Sequence, residues 1–457
     1  MLRFKETVFV IAVASAVWVS AAQPIGMTLN QGMTFGIVLI TLALWGTGLV
    51  PGYVASTFLF VTLILAGIAT PQEVFSSFSS TAIWLVVAGF VIGAAITQTG
   101  LGARMGAYAR PHLSKSYPAL IGGLMVLGMV LGFVMPSSLG RAAVLVPIGM
   151  ALADALGFEK GSLGRTGVAI IIAIGTNMPS SAILPSNIPN IILSGVAEQS
   201  FGAHFSYADY LLLHYPVLGI IKSTFIVGLV LYFFPARVTA ATDAPAPIKG
   251  SNRTQIALLS ILLVTLGFWS TDQLHGINAA WIGLAASLVL MIPQLGFLPP
   301  PVFKNSLDFS MILFVAGALT LGTVVNSSGL GDIIAHAVLK VLPFQQGSDF
   351  LNFMSLSLLG VATSVFTTAP GMPAVLTPLA PELSQTTGFS LNAILMTQVI
   401  GFSTILFPYQ VGPLIVAMGL AGESTRPLLK ITLSLFMITL LFLMPLDFLW
   451  WKFLGQI

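Results

Sequence analysis

Two stretches of this chain decide its architecture: Ala143-Val-Leu-Val-Pro147 with Gly157-Phe158, and Ala374-Val-Leu-Thr-Pro378 with Gly388-Phe389. They superimpose without a gap, and Gly140 falls on Gly371 in the same register. A second correspondence lies upstream of each. Phe78-Ser-Ser-Thr-Ala-Ile-Trp-Leu-Val-Val-Ala-Gly-Phe90 continues to Thr97-Gln-Thr-Gly-Leu-Gly102. Leu307-Asp-Phe-Ser-Met-Ile-Leu-Phe-Val-Ala-Gly317 continues to Asn326-Ser-Ser-Gly-Leu-Gly331. The chain therefore contains an internal repeat.

The solvent for this sequence is lipid. Of 457 residues, 56% are hydrophobic and 7% charged, against about a quarter charged in a soluble domain. The 45 glycines and 27 prolines then imply close helix packing and helices broken on purpose. Cysteine is absent, which excludes disulfides and thiolate metal sites. Arg3 and Lys5 precede an apolar run, 8–22, read as a retained first transmembrane helix.

Apolar segments long enough to span fall near 6–23, 32–50, 53–70, 82–99, 166–196, 211–234, 255–271, 279–296, 308–326, 391–419 and 428–450. This predicts an all-α integral membrane protein with about 11 transmembrane helices. Two further stretches, 117–156 and 350–388, have two apolar arms around a Pro/Gly/Ser/Thr-rich centre, and read as re-entrant helical hairpins. Five crossings separate them, so they enter from opposite faces. The domain reading is an N-terminal helix (1–31), an inverted repeat (32–235), a cytoplasmic linker (236–254, with Asp243-Ala-Pro-Ala-Pro247) and a second inverted repeat (255–457).

The basic residues fit this topology. With the N-terminus in the cytoplasm, Arg3, Lys5, Arg104, Arg110, Lys115, Lys160, Arg165, Arg237, Lys249, Arg253, Lys304, Arg426 and Lys430 share the cytoplasmic side. Only Lys340 and Lys452 fall opposite, as the positive-inside rule requires of an inner-membrane protein. The C-terminus then lies outside, anchored at the interface by Trp450 and Trp451.

The candidate site residues sit where helices break. The hairpin tips are Met135-Pro-Ser-Ser-Leu-Gly-Arg141 and Phe366-Thr-Thr-Ala-Pro-Gly-Met372. Their freed amides, with the hydroxyls of Ser137, Ser138, Thr367 and Thr368 beside Gly140 and Gly371, form a donor-rich cup suited to an oxyanion. Two crossings are also interrupted, at 175–190 (with Ser186, Asn187 and Asn190) and at 407–413 (with Pro408 and Gln410). Freed carbonyls there suit a cation, and half-helix N-termini suit an anion. Arg141, the one cation at a tip, reads as an anion clamp, or else as a group bonded to backbone carbonyls or paired with Asp154. Lys222 is expected to snorkel, the five histidines to lie in loops or at span ends, and Asp308 to cap its helix.

Two inverted repeats, a hairpin in each and an unwound helix after each hairpin resemble the divalent anion–sodium symporter family. Phe75-Ser-Ser-Phe-Ser-Ser-Thr-Ala-Ile-Trp-Leu-Val-Val-Ala-Gly-Phe90 is very like that family's sequence. The resemblance implies a homodimeric elevator carrier of a dicarboxylate, tricarboxylate or sulfate-like anion, and sodium held by each tip and broken helix, here near Ser137, Asn187 and Thr368. The chain departs from the family's Ser-Asn-Thr tips, reading Ser137-Ser138-Leu139 and Thr368-Ala369-Pro370. That leaves Na+ or H+ as the coupling ion. A cation or proton exchanger on the same fold would want a buried carboxylate in the broken helices, and none lies in 175–190 or 405–416. An intramembrane enzyme would need a base or metal cluster near the tips, where no His or Lys occurs. The orientation is testable: reporters fused in 104–115 and after Arg237 should be active in the cytoplasm, whereas one fused after Ile457 should be active only outside.

Overall fold

The computed structural model describes residues 2–238 and 251–457, and the central part of the expected linker, with Asp243 and Lys249, lies outside them. The described residues are helical throughout, without strands. Ten helices are long and apolar enough to cross a membrane. Three of these are hairpin arms, Tyr117–Val134, Ser138–Ala155 and Asp349–Thr367. Of the eleven expected crossings, seven appear as unbroken helices of that length. Two, Gly52–Leu65 and Ala279–Met291, are shorter, and two are interrupted.

Helix starts follow the local sequence. Thr28 and Gln31 form a reciprocal capping box at Leu29–Thr47. Ser116, Ser162, Ser206 and Ser390 each accept an amide at the start of a helix, and Asp308 caps Phe309–Ser327 as expected. The order of elements recurs. Thr81–Thr99 and Phe309–Ser327 are each followed by a short amphipathic helix, Leu101–Leu113 and Leu330–Leu339, which hydropathy did not anticipate. Then come a hairpin, a broken helix and a closing helix, Tyr207–Phe233 or Leu428–Phe453, that contains a π-turn.

The first hairpin breaks at 135–137 and the second at 368–371. The first broken helix runs Leu163–Gly175 and resumes as Ile188–Phe201; the second runs Leu391–Ser403 and resumes as Gly412–Leu420. Small residues let each hairpin approach its broken helix backbone to backbone. A Cβ on Gly128 would lie 2.6 Å from the Gly175 carbonyl oxygen, and one on Gly401 would lie 2.7 Å from Cα of Gly360. Such contact is the usual reason for glycine between membrane helices.

The interior divides into two main apolar clusters. One joins both hairpins, both broken helices and both closing helices. The other joins Leu29–Thr47, Gly52–Leu65, Thr81–Thr99 and Phe309–Ser327.

Three expectations are corrected by packing. Trp451 is fully buried, its ring 5.2 Å from Phe353 and 5.8 Å from His214, so only Trp450 is placed at a surface. His214 is also fully buried, inside a continuous helix. Lys222 does not snorkel: it is buried, and its Nζ donates to the Ser403 carbonyl at 2.6 Å. A substitution Gly401→Val should force the second hairpin off its broken helix, costing at least about 1–3 kcal/mol as overpacking does. Thermal unfolding in detergent should show a lower midpoint than for the unsubstituted protein.

Candidate functional site

A cavity of about 440 Å³ lies where the two clusters meet. One wall is formed by residues of Pro51–Tyr53, Leu85–Phe90 and 308–314. The opposite wall brings together both hairpin tips, through Pro136–Leu139 and Ala369–Pro370, and both breaks, through Asn177, Asn187–Pro189 and Val411–Pro413. Parts of all four interrupted segments thus line one cavity, although most of the residues singled out from sequence lie off its lining.

Three helices begin at this wall, at Ser138, Ile188 and Gly412. At Ser138–Ala155, Ser137 Oγ accepts the Gly140 amide and Ser137 O the Arg141 amide, leaving those of Ser138 and Leu139. Ile188–Phe201 and Gly412–Leu420 have no side-chain cap. Pro189 and Pro413 have no N–H to offer and the Leu414 amide donates to the Val411 carbonyl, so the start at Gly412 leaves only its own N–H, but each start still carries up to roughly half a positive charge. Asn177, 3% exposed, lines the cavity with an amide nitrogen that has no hydrogen-bond partner. Asp308, the one acidic residue in the lining, has an oxygen already accepting the Met311 amide at 3.1 Å. No lysine or arginine lines the cavity.

Arg141 lies behind the wall rather than on it. It is fully buried, and each of its five N–H donors has a partner. Nε donates to the Thr176 carbonyl at 2.9 Å, and one terminal nitrogen to the Met135 carbonyl and to Ser186 Oγ (2.9 Å). The other donates to Ser138 Oγ (2.9 Å) and to the Ser186 carbonyl (3.1 Å). Of the readings open from sequence, bonding to backbone carbonyls is the one the geometry realises. Asp154 pairs with Arg165 instead, because Arg165 starts the next helix beside it and also reaches Glu423 at 3.4 Å.

The other expected residues mostly hold the breaks together. Ser186 Oγ also donates to the Gly132 carbonyl at 2.6 Å. Asn190 donates to the Ser180 and Ile183 carbonyls, and Asn187, on the cavity wall, to Ser181 Oγ. Gln410 Oε1 accepts the Leu406 and Phe407 amides while its Nε2 donates to Ser364 Oγ. The Gln410 carbonyl accepts the Ala369 amide, tying the second tip to the second break. Thr367, Thr368, Gly371 and Pro408 lie off the cavity lining. Thr368 turns the tip with φ 74°, and Gly140 lines a neighbouring cavity that shares Gly89, Phe90 and Ser137. Sequence reading missed Asn177 as a distinct donor and missed the wall around Gly89 and Phe314. The repeated Ala-Gly pairs at 88–89 and 316–317 were the available signal.

A family model for the sodium:sulfate symporter transmembrane region matches residues 2–457. The chain belongs to this family of membrane transporters. A Cupriavidus necator protein described as a membrane protein is 23% identical, over 98% of this chain and 93% of its own. The L-tartrate/succinate antiporter of Escherichia coli strain UTI89 is 22% identical, over 74% of this chain and 72% of its own. The crystal structure of the Alcanivorax borkumensis YdaH transporter, at 16% identity, shares the fold with a TM-score of 0.57, covering 93% of this chain and 98% of that one.

At the first tip a guanidinium takes part of the oxygen cluster beside Ser137 and Asn187, where the family name implies a sodium ion. The oxygens of Met135, Ser138, Thr176 and Ser186 that could enclose a cation already take the guanidinium of Arg141. Charge-assisted bonds of this kind contribute about 1.5–3 kcal/mol each. Arg141→Lys can replace at most three of the five, and Arg141→Ala none. Both variants should unfold at lower temperature than the original, with alanine the lower by at least about 3 kcal/mol in total cost, and sodium should not restore either midpoint.

Proposed function

We propose that this protein is a secondary active carrier of small organic dianions, dicarboxylates first among them, bound in the cavity between the two clusters. The observation that carries this reading is the convergence of both tips and both breaks on one cavity whose field comes from three helix N-termini and a free amide, Asn177. Such groups favour an anion without any lining cation. The named substrates of the Escherichia coli relative, tartrate and succinate, are of this class.

In this reading the cluster holding the hairpins moves as a body against the cluster holding Gly52–Leu65 and Phe309–Ser327, and the cavity travels with it. The location of the cavity at their boundary supports an elevator motion. The recurring element order supports two inverted repeats within an inner membrane, with the N-terminus in the cytoplasm. Exposed apolar side chains on the static side, Val61, Leu65, Trp281 and Leu288, offer a surface for a second copy. Ser137, Ser138 and Asn187 contact the anion, whereas Arg141, Ser186, Asn190 and Gln410 shape its walls.

Coupling to sodium is weakened at the first tip, where Arg141 is a built-in cation. At the matched position of the second tip stands Met372, fully buried and apolar. Anion binding should therefore persist when sodium is replaced by choline. The decisive experiment is uptake by purified protein in liposomes, against a panel of succinate, tartrate, citrate, sulfate and a monocarboxylate. Succinate or tartrate should enter and the monocarboxylate should not. Leu139→Trp, which fills the cavity from the first tip, should abolish entry of every member while leaving the melting temperature near that of the original. Failure of every anion to enter, or uptake unaffected by Leu139→Trp, overturns the reading.

A further inference from the structure

The two closing helices bring a group of buried polar side chains together in an otherwise apolar interior. Each helix contains a π-turn, Tyr215–Ile221 and Thr439–Leu443, and the two turns pack against each other. A π-turn inside a helix is frequently associated with function. Each helix also carries one fully buried charge, Lys222 on the first and Asp447 on the second. They influence one another electrostatically, but form no direct ion pair. Neither oxygen of Asp447 has a well-formed hydrogen bond, although the Trp451 indole lies close enough to interact with its carboxyl group. Ser223 Oγ, Thr439 Oγ1, Trp451 Nε1 and His214 Nδ1, all on these two helices, likewise have no well-formed hydrogen bond. Buried polar atoms are ordinarily satisfied, so a cluster of unsatisfied ones marks a place that takes up water or protons.

One member of this group is bonded beside the second break. Lys222 Nζ donates to the Ser403 carbonyl at 2.6 Å, with Ser403 Oγ at 3.4 Å. Ser403 is the last residue before the second break, and its neighbour Phe402 lines the cavity. In the other direction, His214 lies with its ring 5.8 Å from that of Trp451 and its Nε2 3.4 Å from Met396 Sδ. The other titratable groups on these two helices are Tyr207, Asp209, Tyr210, Tyr215 and Tyr232 on the first and Lys430 and Lys452 on the second. Of the helices packed against them, Tyr117–Val134, Leu163–Gly175, Asn252–Ser270 and Asp349–Thr367 bring Tyr117, Arg165, Arg253 and Asp349 only near their starts, and the short Asp272–His275 brings Asp272 and His275 to the start of the first. Leu391–Ser403 brings none.

We propose, building on the carrier reading above, that Asp447 and Lys222 form the site of the proton that accompanies the anion, so that the carrier is driven by H+. A proton from water forms an O–H bond on the Asp447 carboxylate; nothing is oxidised or reduced. The pair then changes from neutral to singly positive. The ammonium stays on the Ser403 carbonyl, the negative end of a helix, where a cation is favoured. The added charge beside the cavity favours a bound anion, and the anion favours the proton in equal measure, as linkage requires.

Two measurements on the full-length protein test this. In the first, sodium-free liposomes contain a trapped pH dye, and labelled succinate is added outside an acidic-to-neutral gradient. The original protein should acidify the interior as succinate enters, and the ratio of protons to succinate should fall to background in Asp447→Asn. In the second, infrared difference spectra are taken between acid and alkaline buffer, without any gradient. Beyond the signal of the other 13 of the 14 Asp and Glu carboxyls, one protonated-carboxyl component should be present in the original, move to more alkaline pH when succinate is added, and be missing from Asp447→Asn. Its melting curve reports folding, and Lys222→Met should shift the band if that variant folds better. Succinate entry without protons, or survival of that component in Asp447→Asn, overturns the proposal. A band that behaves as expected in a protein that admits no anion instead upholds the protonation site and overturns the carrier reading.

Discussion

An interrupted helix inside a membrane must satisfy its freed backbone groups from within the protein, and the rest of this structure depends on how that is done. At the first break the carbonyls of Thr176 and Ser186 go to Arg141, those of Ser180 and Ile183 to Asn190, and that of Ser181 to the Tyr210 hydroxyl. At the second, Gln410 serves the amides of Leu406 and Phe407 and anchors to Ser364. Lipid can supply none of these partners, and an unsatisfied group costs several kcal/mol there. Each tip is thus bound to its own break by one long polar side chain, contributed by the hairpin in the first half and by the break in the second.

That arrangement separates two tasks that a single charged residue at a tip would otherwise combine. Arg141 and Asn190 at the first break and Lys222 at the second satisfy carbonyls of the interrupted helices, and helix starts at Ser138, Ile188 and Gly412 face the cavity. A guanidinium with five partners has no donor left for a ligand. Its charge still acts through the wall, at a distance set by the thickness of one hairpin tip. On the carrier reading, the helix starts attract an anion to the cavity despite Asp308 in its lining, and the mostly apolar surface lets the anion leave.

Much of this was legible in the sequence because broken helices in a membrane leave marks that composition cannot hide. Pro136, Pro185, Pro189 and Pro413 interrupt apolar runs, and the ungapped register of the two hairpins located both tips. What escaped depends on contacts between distant segments. Lys222 alone on an apolar helix has the pattern of a snorkelling residue; its partners Ser403 and Asp447 lie on other helices. Trp451 beside Trp450 looks like an interfacial pair, yet one ring faces Phe353 and the other bonds the Leu212 carbonyl. Arg141 was visible as exceptional, but whether its donors pointed at a ligand or at carbonyls depended on the path of 176–186. Leu101–Leu113 and Leu330–Leu339 were missed because short amphipathic helices at a membrane edge are neither apolar enough to be spans nor polar enough to be loops.

The two halves share a skeleton and differ in where they place charge. Among the described residues, the fully buried members of the Asp, Glu, Lys and Arg set are Arg141, Lys222 and Asp447. All three sit on hairpin or closing helices, in the cluster on one side of the cavity. With Asp447 ionised, that body carries one net positive charge in its interior; with Asp447 protonated it carries two. A charge moved through the hydrocarbon is costly, and so is one moved against the membrane potential. A bound dianion cancels the two charges of the protonated form and overcompensates the one charge of the deprotonated form. On the carrier reading, the loaded and protonated body is therefore the electrically neutral one, and the one for which crossing is least opposed. A monoanion would leave a residual charge in that state. Selectivity for doubly charged substrates would then arise from the buried charges behind the wall as well as from the shape of the cavity in front of it.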